Sequence, residues 1–359
     1  MTPEYVVHGL ELSYFTGKLE AYVRVKGIPH RFVAMDSTDF RRCSRETGIA
    51  QMPQIQRPDG SWTTDTTAFI TAFEDEQKEP RLRPPAPAAA FLSLLLEDFC
   101  DEWLWRPALY YRWAFADDRR LLSAQIARTL LRDIPAPFWL RRHFILMRQR
   151  WVFLRSDGVT RITAPQIEAL YRETIDALEP IFASRRYLFG DRPCEADFGL
   201  FGPFFRHFSH DPTPAAILRA RGPHTLAWTA RLWATRPHDL VRTEPILEAP
   251  EDLAPLLEMA GDDYLPYLHA NHAAVRERRG TVRYQVQGVD WSVPASPYRA
   301  HCLVVLRAAY QSLGPDDRAA VAARIGRGAR ILAAQETLPL ATPRADGARV
   351  ANRHGSRGS

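Results

Sequence analysis

The chain has 359 residues, 46% hydrophobic and 25% charged, a balance that excludes wholesale disorder and sets a prior of two or three domains. Its net charge is +5 and its pI is near 9.1, but nearly all the positive charge is arginine, mostly interleaved with acids. No zinc finger, RNP signature or aromatic-plus-basic stripe accompanies that charge, so a nucleic-acid partner is not expected.

Residues Tyr5 to Gly9 read as a short strand. Phe15 to Lys26 reads as a helix, with Leu19, Tyr22 and Val23 on one face and Gly27 as its stop. Arg31 to Met35 reads as a second strand, and Asp39 to Arg45 as a loop or short helix. Gln54 to Arg57, the turn Pro58-Asp59-Gly60, and Ser61 to Thr63 form a hairpin, and Asp65 to Glu74 a closing helix. Strand, helix, strand, then hairpin and helix is the thioredoxin-like order, and it bounds a first unit at 1–78. A proline-rich stretch, 79–90, reads as a linker. Residues 91–245 are helical and tryptophan-rich. Residues 246–340 read as a mainly helical extension: a helical start at Asp252 to Glu258, a hairpin over Thr281 to Val293, then helical stretches Tyr298 to Leu313 and Pro315 to Ala334. The polar, Arg/Gly-rich tail at 341–359 reads as disordered.

No apolar run is long enough to span a membrane without a charge, and Met1 to His8 carries no secretory pattern, so the expected address is the cytoplasm. Cys43, Cys100, Cys194 and Cys302 form no Cys-x-x-Cys pair and read as reduced core thiols. His207-x-x-His210-Asp211 and His269-x-x-His272 have loose metal spacing without a closing ligand set, so no metal is expected. Gly326-Arg-Gly328 lacks the strand and lysine of a phosphate loop.

The chemistry concentrates in the first unit. Met52-Pro53 before a strand is a place for a cis peptide that turns the backbone groups of Met52 outward. Asp65-Thr66 opens a helix, whose free amides and dipole suit a carboxylate. Ser13 stands between the first strand and the first helix, where a serine is a natural N-cap.

These segments together resemble the glutathione site of the glutathione transferases, with an α/β thioredoxin-like N-terminal domain followed by an all-α C-terminal domain. The resemblance implies that reduced glutathione lies along Gln51, Met52, Pro53, Asp65 and Thr66. It implies a serine-type site in which Ser13 steadies the glutathione thiolate, with Thr16 and Tyr14 as rivals. Other members use a tyrosine at the end of the first strand, where this chain has His8. The segment Tyr187 to Phe201 is similar to the C-terminal signature of that superfamily, with Asp197 in a capping box and Cys194 where Ser or Thr is usual. The stretch 156–178 leading into it is similar to the metaxin and failed-axon-connections branch, which includes members not established as transferases. The implied activity is attack of the glutathione thiol on a small electrophile, with a non-catalytic binding or assembly module as the alternative. Relatives mostly dimerise across the two domains, so a homodimer is expected unless the extension covers that surface.

Two helical segments carry open alternatives. In Phe91 to Trp113, Pro107 interrupts the pattern, and Glu97, Asp98 and Asp101 share one face. That segment is either a cleft wall, with Asp101, Glu102, Trp105 and Tyr110 near the ligand, or a core helix with a solvated acidic face. In Phe138 to Arg155, Leu140, Phe144, Met147, Trp151 and Leu154 form one stripe flanked by arginines. The stripe reads first as a buried face with snorkelling arginines, and second as a face for an anionic membrane or a partner.

Overall fold

The computed structural model describes residues 4–76, 79–154, 156–244 and 248–334. The first unit runs β1 (Tyr5–Gly9), α1 (Tyr14–Lys26), β2 (His30–Ala34), α2 (Ser37–Thr47), β3 (Gln54–Gln56), β4 (Trp62–Thr64) and α3 (Thr66–Glu76). Its sheet has the order β2-β1-β3-β4. β1 and β2 are parallel, and β3 and β4 are antiparallel to their neighbours. This is a thioredoxin-like arrangement. α1 ends as the sequence indicates, with Gly27 at φ 76° and its amide bonded to the Val23 carbonyl. The segment at 39–45 is part of a full helix, α2, capped by Asp36.

The helical part comprises α4 (Pro87–Glu102), α5 (Trp105–Ala114), α6 (Ala116–Thr129), α7 (Phe138–Arg148), α8 (Ala164–Ser184), α9 (Glu195–Pro203), α10 (Pro212–Arg221) and α11 (Pro223–Ala234). π-helical turns extend α7 through Gln149–Leu154 and α9 through Phe204–Phe208. α4 begins at Pro87, inside the stretch that reads as a linker, because proline suits the first turn of a helix. The break anticipated at Pro107 falls at Trp103-Leu104, which puts Pro107 in the first turn of α5, where its missing N–H costs nothing.

The extension carries α12 (Ala254–Met259), a π turn (Ala260–Tyr264), α13 (Leu265–Arg276), the hairpin β5 (Thr281–Val286) and β6 (Val289–Pro294), α14 (Pro297–Ser312), α15 (Pro315–Ile325) and α16 (Gly328–Ala333). One hydrophobic core runs from Val7 in β1 through α4 and α8 to Leu332 in α16. A second, smaller cluster gathers Leu109, Trp113, Ile126 and Ile145 under α5, α6 and α7. The hairpin docks through an arginine buried among aromatics: Arg106 lies 4.0 Å from the Trp103 ring, 4.5 Å from Tyr267 and 5.4 Å from Trp291, and donates to the Tyr284 hydroxyl at 3.0 Å. The tail at 341–359 lies outside the described residues.

α4 is the centre of the assembly. α9 crosses it so closely that a Cβ on Gly199 would stand 2.9 Å from the Glu97 backbone, which only glycine tolerates. Its acids are not a solvated face. Glu97 and Asp101 meet Lys18 of α1. Asp98 accepts from the Tyr264 hydroxyl at 2.6 Å, and Glu102 pairs with Arg299 at 2.8 Å. One face of the helix thus reaches the first unit, and the other reaches the extension.

In the Cys194 cap, Asp197 accepts from the Cys194 amide at 3.0 Å, the Leu188 amide at 3.0 Å and the Trp228 indole at 3.2 Å. The Cys194 thiol donates to Asp197 at 3.5 Å, so it serves as a donor where Ser or Thr would accept.

Burial pushes the Asp98 carboxyl up to about 7, against the Tyr264 bond that lowers it. It pushes Glu195 up to about 7 and Asp197 to about 6. Each group holds its proton more tightly in the folded chain than in the unfolded one. Its contribution to stability is therefore complete below about pH 4 and is lost as pH rises through its folded value. Stability should fall as pH rises between about 4 and 7. Asp98→Asn should flatten that slope, as measured by urea unfolding across the range. An unchanged slope would contradict the assignment to Asp98.

Candidate functional site

A cavity of about 600 Å³ opens where the first unit, α4 to α7 and α14 meet. Ser13, Gln51, Met52, Pro53, Asp65 and Thr66 line it on one side, and Asp101, Glu102 and Trp105 on the other. The residues that the sequence singles out are thus brought together, with exceptions. Thr16 is fully buried, points at Gly9 and does not line the cavity. Tyr14 borders it but is buried, and its hydroxyl is bonded to the Cys100 carbonyl, so it is not a free donor. Tyr110 faces α8, where it donates to Glu168 at 2.7 Å, and is not part of the cavity wall. His8 lies inside the sheet, bonded to Asp39 at 2.7 Å.

Ser13 is the N-cap of α1. Its Oγ accepts from the Thr16 amide at a long 3.5 Å, which leaves the hydroxyl proton available to a ligand. The corner is braced from below by a residue the sequence did not single out as a site residue. Arg112 donates to the Leu12 carbonyl at 2.8 Å and is held bidentately by Asp211 at 2.7 and 2.9 Å. The His207-x-x-His210-Asp211 motif belongs to this brace. His210 contacts Asp211 at 3.1 Å, and His207 contacts the Ala108 carbonyl at 3.1 Å, with burial and Arg112 pushing its imidazole down to about 3. His269 lies against Arg307 at 3.4 Å.

The Met52-Pro53 peptide is cis, and Met52 lines the cavity. Gln51 donates to Thr64 Oγ1 at 2.8 Å. Asp65 adopts φ 76°, a left-handed conformation that Asp tolerates better than most residues. Its Oδ1 caps α3 by accepting from the Thr67 and Ala68 amides at 3.1 and 3.2 Å. Its Oδ2 accepts from the Tyr298 hydroxyl at 3.3 Å. Tyr298, in the first turn of α14, also lines the cavity, so the extension supplies part of the wall. Nothing local to 297–312 announces this, because only the tertiary path of α14 across α4 brings it there.

The floor is a buried charge cluster. Lys18 donates to Thr67 Oγ1 at 2.9 Å, to Asp101 Oδ2 at 2.5 Å and to Glu97 Oε1. Thr67 donates in turn to Glu97 at 2.7 Å. Two carboxylates share this one lysine, while Glu102 has its own partner in Arg299. Burial and the neighbouring Glu97 charge raise the Asp101 carboxyl well above the ordinary range, although Lys18 opposes them. The Oδ1 of Asp101 is buried and makes no hydrogen bond among the described residues. Glu97 Oε2 is likewise buried without a hydrogen bond among the described residues. The opposite wall is apolar, built from Leu10, Phe15, Leu109, Trp113, Ile126 and Phe144. Phe15 stacks on Trp105 at 5.7 Å.

His8, Asp39 and Cys43 bring metal-ligand atoms within 4.8 Å of one another. Arg42 already holds Asp39 at 2.6 Å, and burial with the Asp39 charge pushes the Cys43 thiol up to about 11. The three residues and Arg42 form a hydrogen-bonded cluster.

No family model matches the chain, and no curated protein sequence matches it. Among solved structures, it is similar to a glutathione S-transferase from Methylobacterium radiotolerans in complex with glutathione sulfonate (19% identity, 69% of this chain and 96% of that one, TM-score 0.41). It is similar to a β-etherase from Sphingobium (17% identity, 65% and 96%, TM-score 0.46). It is similar to a GST-like protein from Pseudomonas syringae (17% identity, 73% and 75%, TM-score 0.43). These are similarities of chain path at low identity.

Replacing Lys18 by Met should leave Glu97 and Asp101 buried without a cation. The expected loss is about 3–5 kcal/mol in urea unfolding near neutral pH. The loss should shrink as the pH falls, because the unpaired carboxyls then protonate. A loss below about 1 kcal/mol would show that the cluster does not hold the units together.

Proposed function

We propose that the cavity binds reduced glutathione and activates its thiol for attack on an electrophilic carbon of an apolar small molecule. The observation that carries this reading is that Asp101, with one carboxyl oxygen unbonded among the described residues, and the start of α3 line the same cavity. The two together suit the ammonium and carboxylate of one α-amino acid head. In this reading the ammonium of the γ-glutamyl group meets Asp101 and Asp65. Its carboxylate meets the hydroxyl and amide of Thr66 and the positive end of the α3 dipole, the Thr67 and Ala68 amides being held by Asp65. The backbone of Met52 pairs with the cysteinyl part, and Gln51 serves the glycyl end.

That arrangement directs the sulfur toward Ser13. The hydroxyl donates to the thiolate, and the N-terminus of α1 adds positive potential. Both stabilise the charged form of a thiol whose unperturbed pKa is about 8.5. The sulfur then attacks the carbon of a molecule held against Phe15, Trp105 and Trp113. A C–S bond forms with the sulfur lone pair, and the leaving group departs with its bonding pair. Holding both reactants in one cavity supplies proximity. The large aromatic wall favours a lipophilic electrophile.

The ultraviolet thiolate band of bound glutathione, followed against pH, tests this directly. The thiol should titrate below its solution value. Ser13→Ala should return that titration toward the solution value, by about one pH unit or more, while glutathione still binds. Asp101→Asn should instead weaken binding about tenfold, the loss of one charge-assisted bond, and leave the thiol titration of the bound form in place. Glutathione that binds with an unshifted thiol would favour the non-catalytic module.

A further inference from the structure

The stripe on α7 is not buried. Trp139 is 66% exposed, Phe144 57%, Trp151 58% and Leu140 42%, and Ile145 is the one residue of α7 that is buried. The expectation of a buried face with snorkelling arginines is therefore overturned. The second core cluster takes Ile145 and, at its edge, Phe138 and Leu154, which turns the rest of the helix toward solvent.

The chain segment that carries this stripe is nearly of one sign of charge, although its Arg132 is paired with Asp36 of the first unit at 2.9 Å. Between Arg119 and Leu154 there are eight arginines and a single acid, Asp133. Asp133 is occupied by the Ser37 and Thr38 hydroxyls at 2.8 and 2.6 Å. Arg120, Arg128, Arg148 and Arg150 are exposed along α6, α7 and its π turn. Phe144 both projects from this face and lines the cavity, as do Arg148 and Gln149, so the cavity opens at the stripe.

We propose that the α7 face, with its π turn, docks on an anionic lipid surface, with the cavity mouth turned toward the lipid. Large aromatic and aliphatic groups interleaved with arginines make an interfacial helix, whose apolar side enters the headgroup region while the cations meet lipid phosphates. No helix among the described residues is long and apolar enough to cross a membrane, and the binding proposed is interfacial. Charge argues against a second copy as the occupant. A two-fold contact through this face would set one arginine-rich hairpin against another. The aliphatic share of the face, Leu121, Leu140, Met147 and Val152, favours lipid over a single-stranded nucleic acid, whose bases stack on aromatic and arginine planes. The proposal rests on the surface alone and does not depend on what the cavity binds.

Co-sedimentation of the full chain with vesicles tests it. Vesicles of phosphatidylcholine mixed with phosphatidylglycerol should carry the protein down at low salt, and vesicles of phosphatidylcholine alone should do so far less. Added salt should release it. The double variant W139Q/L140Q changes two exposed side chains and should keep the wild-type melting temperature. Its binding to the anionic vesicles should be weaker by about tenfold or more. Absence of binding to anionic vesicles would overturn the proposal. So would equal, salt-independent binding to both vesicle types. Reversible self-association that W139Q/L140Q abolishes, seen by sedimentation velocity without lipid, would reassign the face to a contact between copies.

Discussion

The structure turns on a single lysine. Lys18 is wholly buried, and it joins α1, α3 and α4 through Thr67, Glu97 and Asp101. A buried ammonium is tolerable only when it is paired and fully hydrogen-bonded, and its three donors here have three acceptors. The same α4 reaches the extension through Asp98 and Glu102. Lys18, Thr67 and four acids of α4 therefore link three parts of the chain, and the cavity lies where those parts meet.

That economy has a chemical consequence. Ion pairs deep in a protein contribute little net stability, because desolvation offsets attraction, so their value lies in what they position. The two carboxylates share one lysine, and Asp101 Oδ1 is left buried without a hydrogen bond among the described residues. In the proposed reading the ligand's ammonium meets that carboxyl. The Ser13 corner is held by a different device, the Arg112–Asp211 pair that fixes the Leu12 carbonyl. The Asp101 cluster and the Ser13 corner are thus held by separate networks.

The first unit was legible in the sequence because its signals are local. A proline before a strand, a helix opened by Asp-Thr and a glycine stop are read within a few residues of one another. Ser13, Gln51, Met52, Pro53, Asp65 and Thr66 accordingly stand around one cavity. Tyr110 was misplaced because helical spacing gives a face but not the neighbour that face meets; Glu168 of α8 claims its hydroxyl. Lys18, Arg112 and Tyr298 carried no signal as site residues, since their partners lie 49 to 233 positions away. The α7 stripe was misread for the reverse reason. An amphipathic pattern predicts a buried face wherever a partner exists, and here the protein covers only Ile145.

The account stands on glutathione entering this cavity and giving up its thiol proton there. Calorimetric titration of the full chain with reduced glutathione, in two buffers of different ionisation enthalpy, measures both events at once. Saturable binding with a proton released near neutral pH is the expected result. Absence of binding at millimolar glutathione would contradict the central claim and leave the first unit as a scaffold for the surfaces around it.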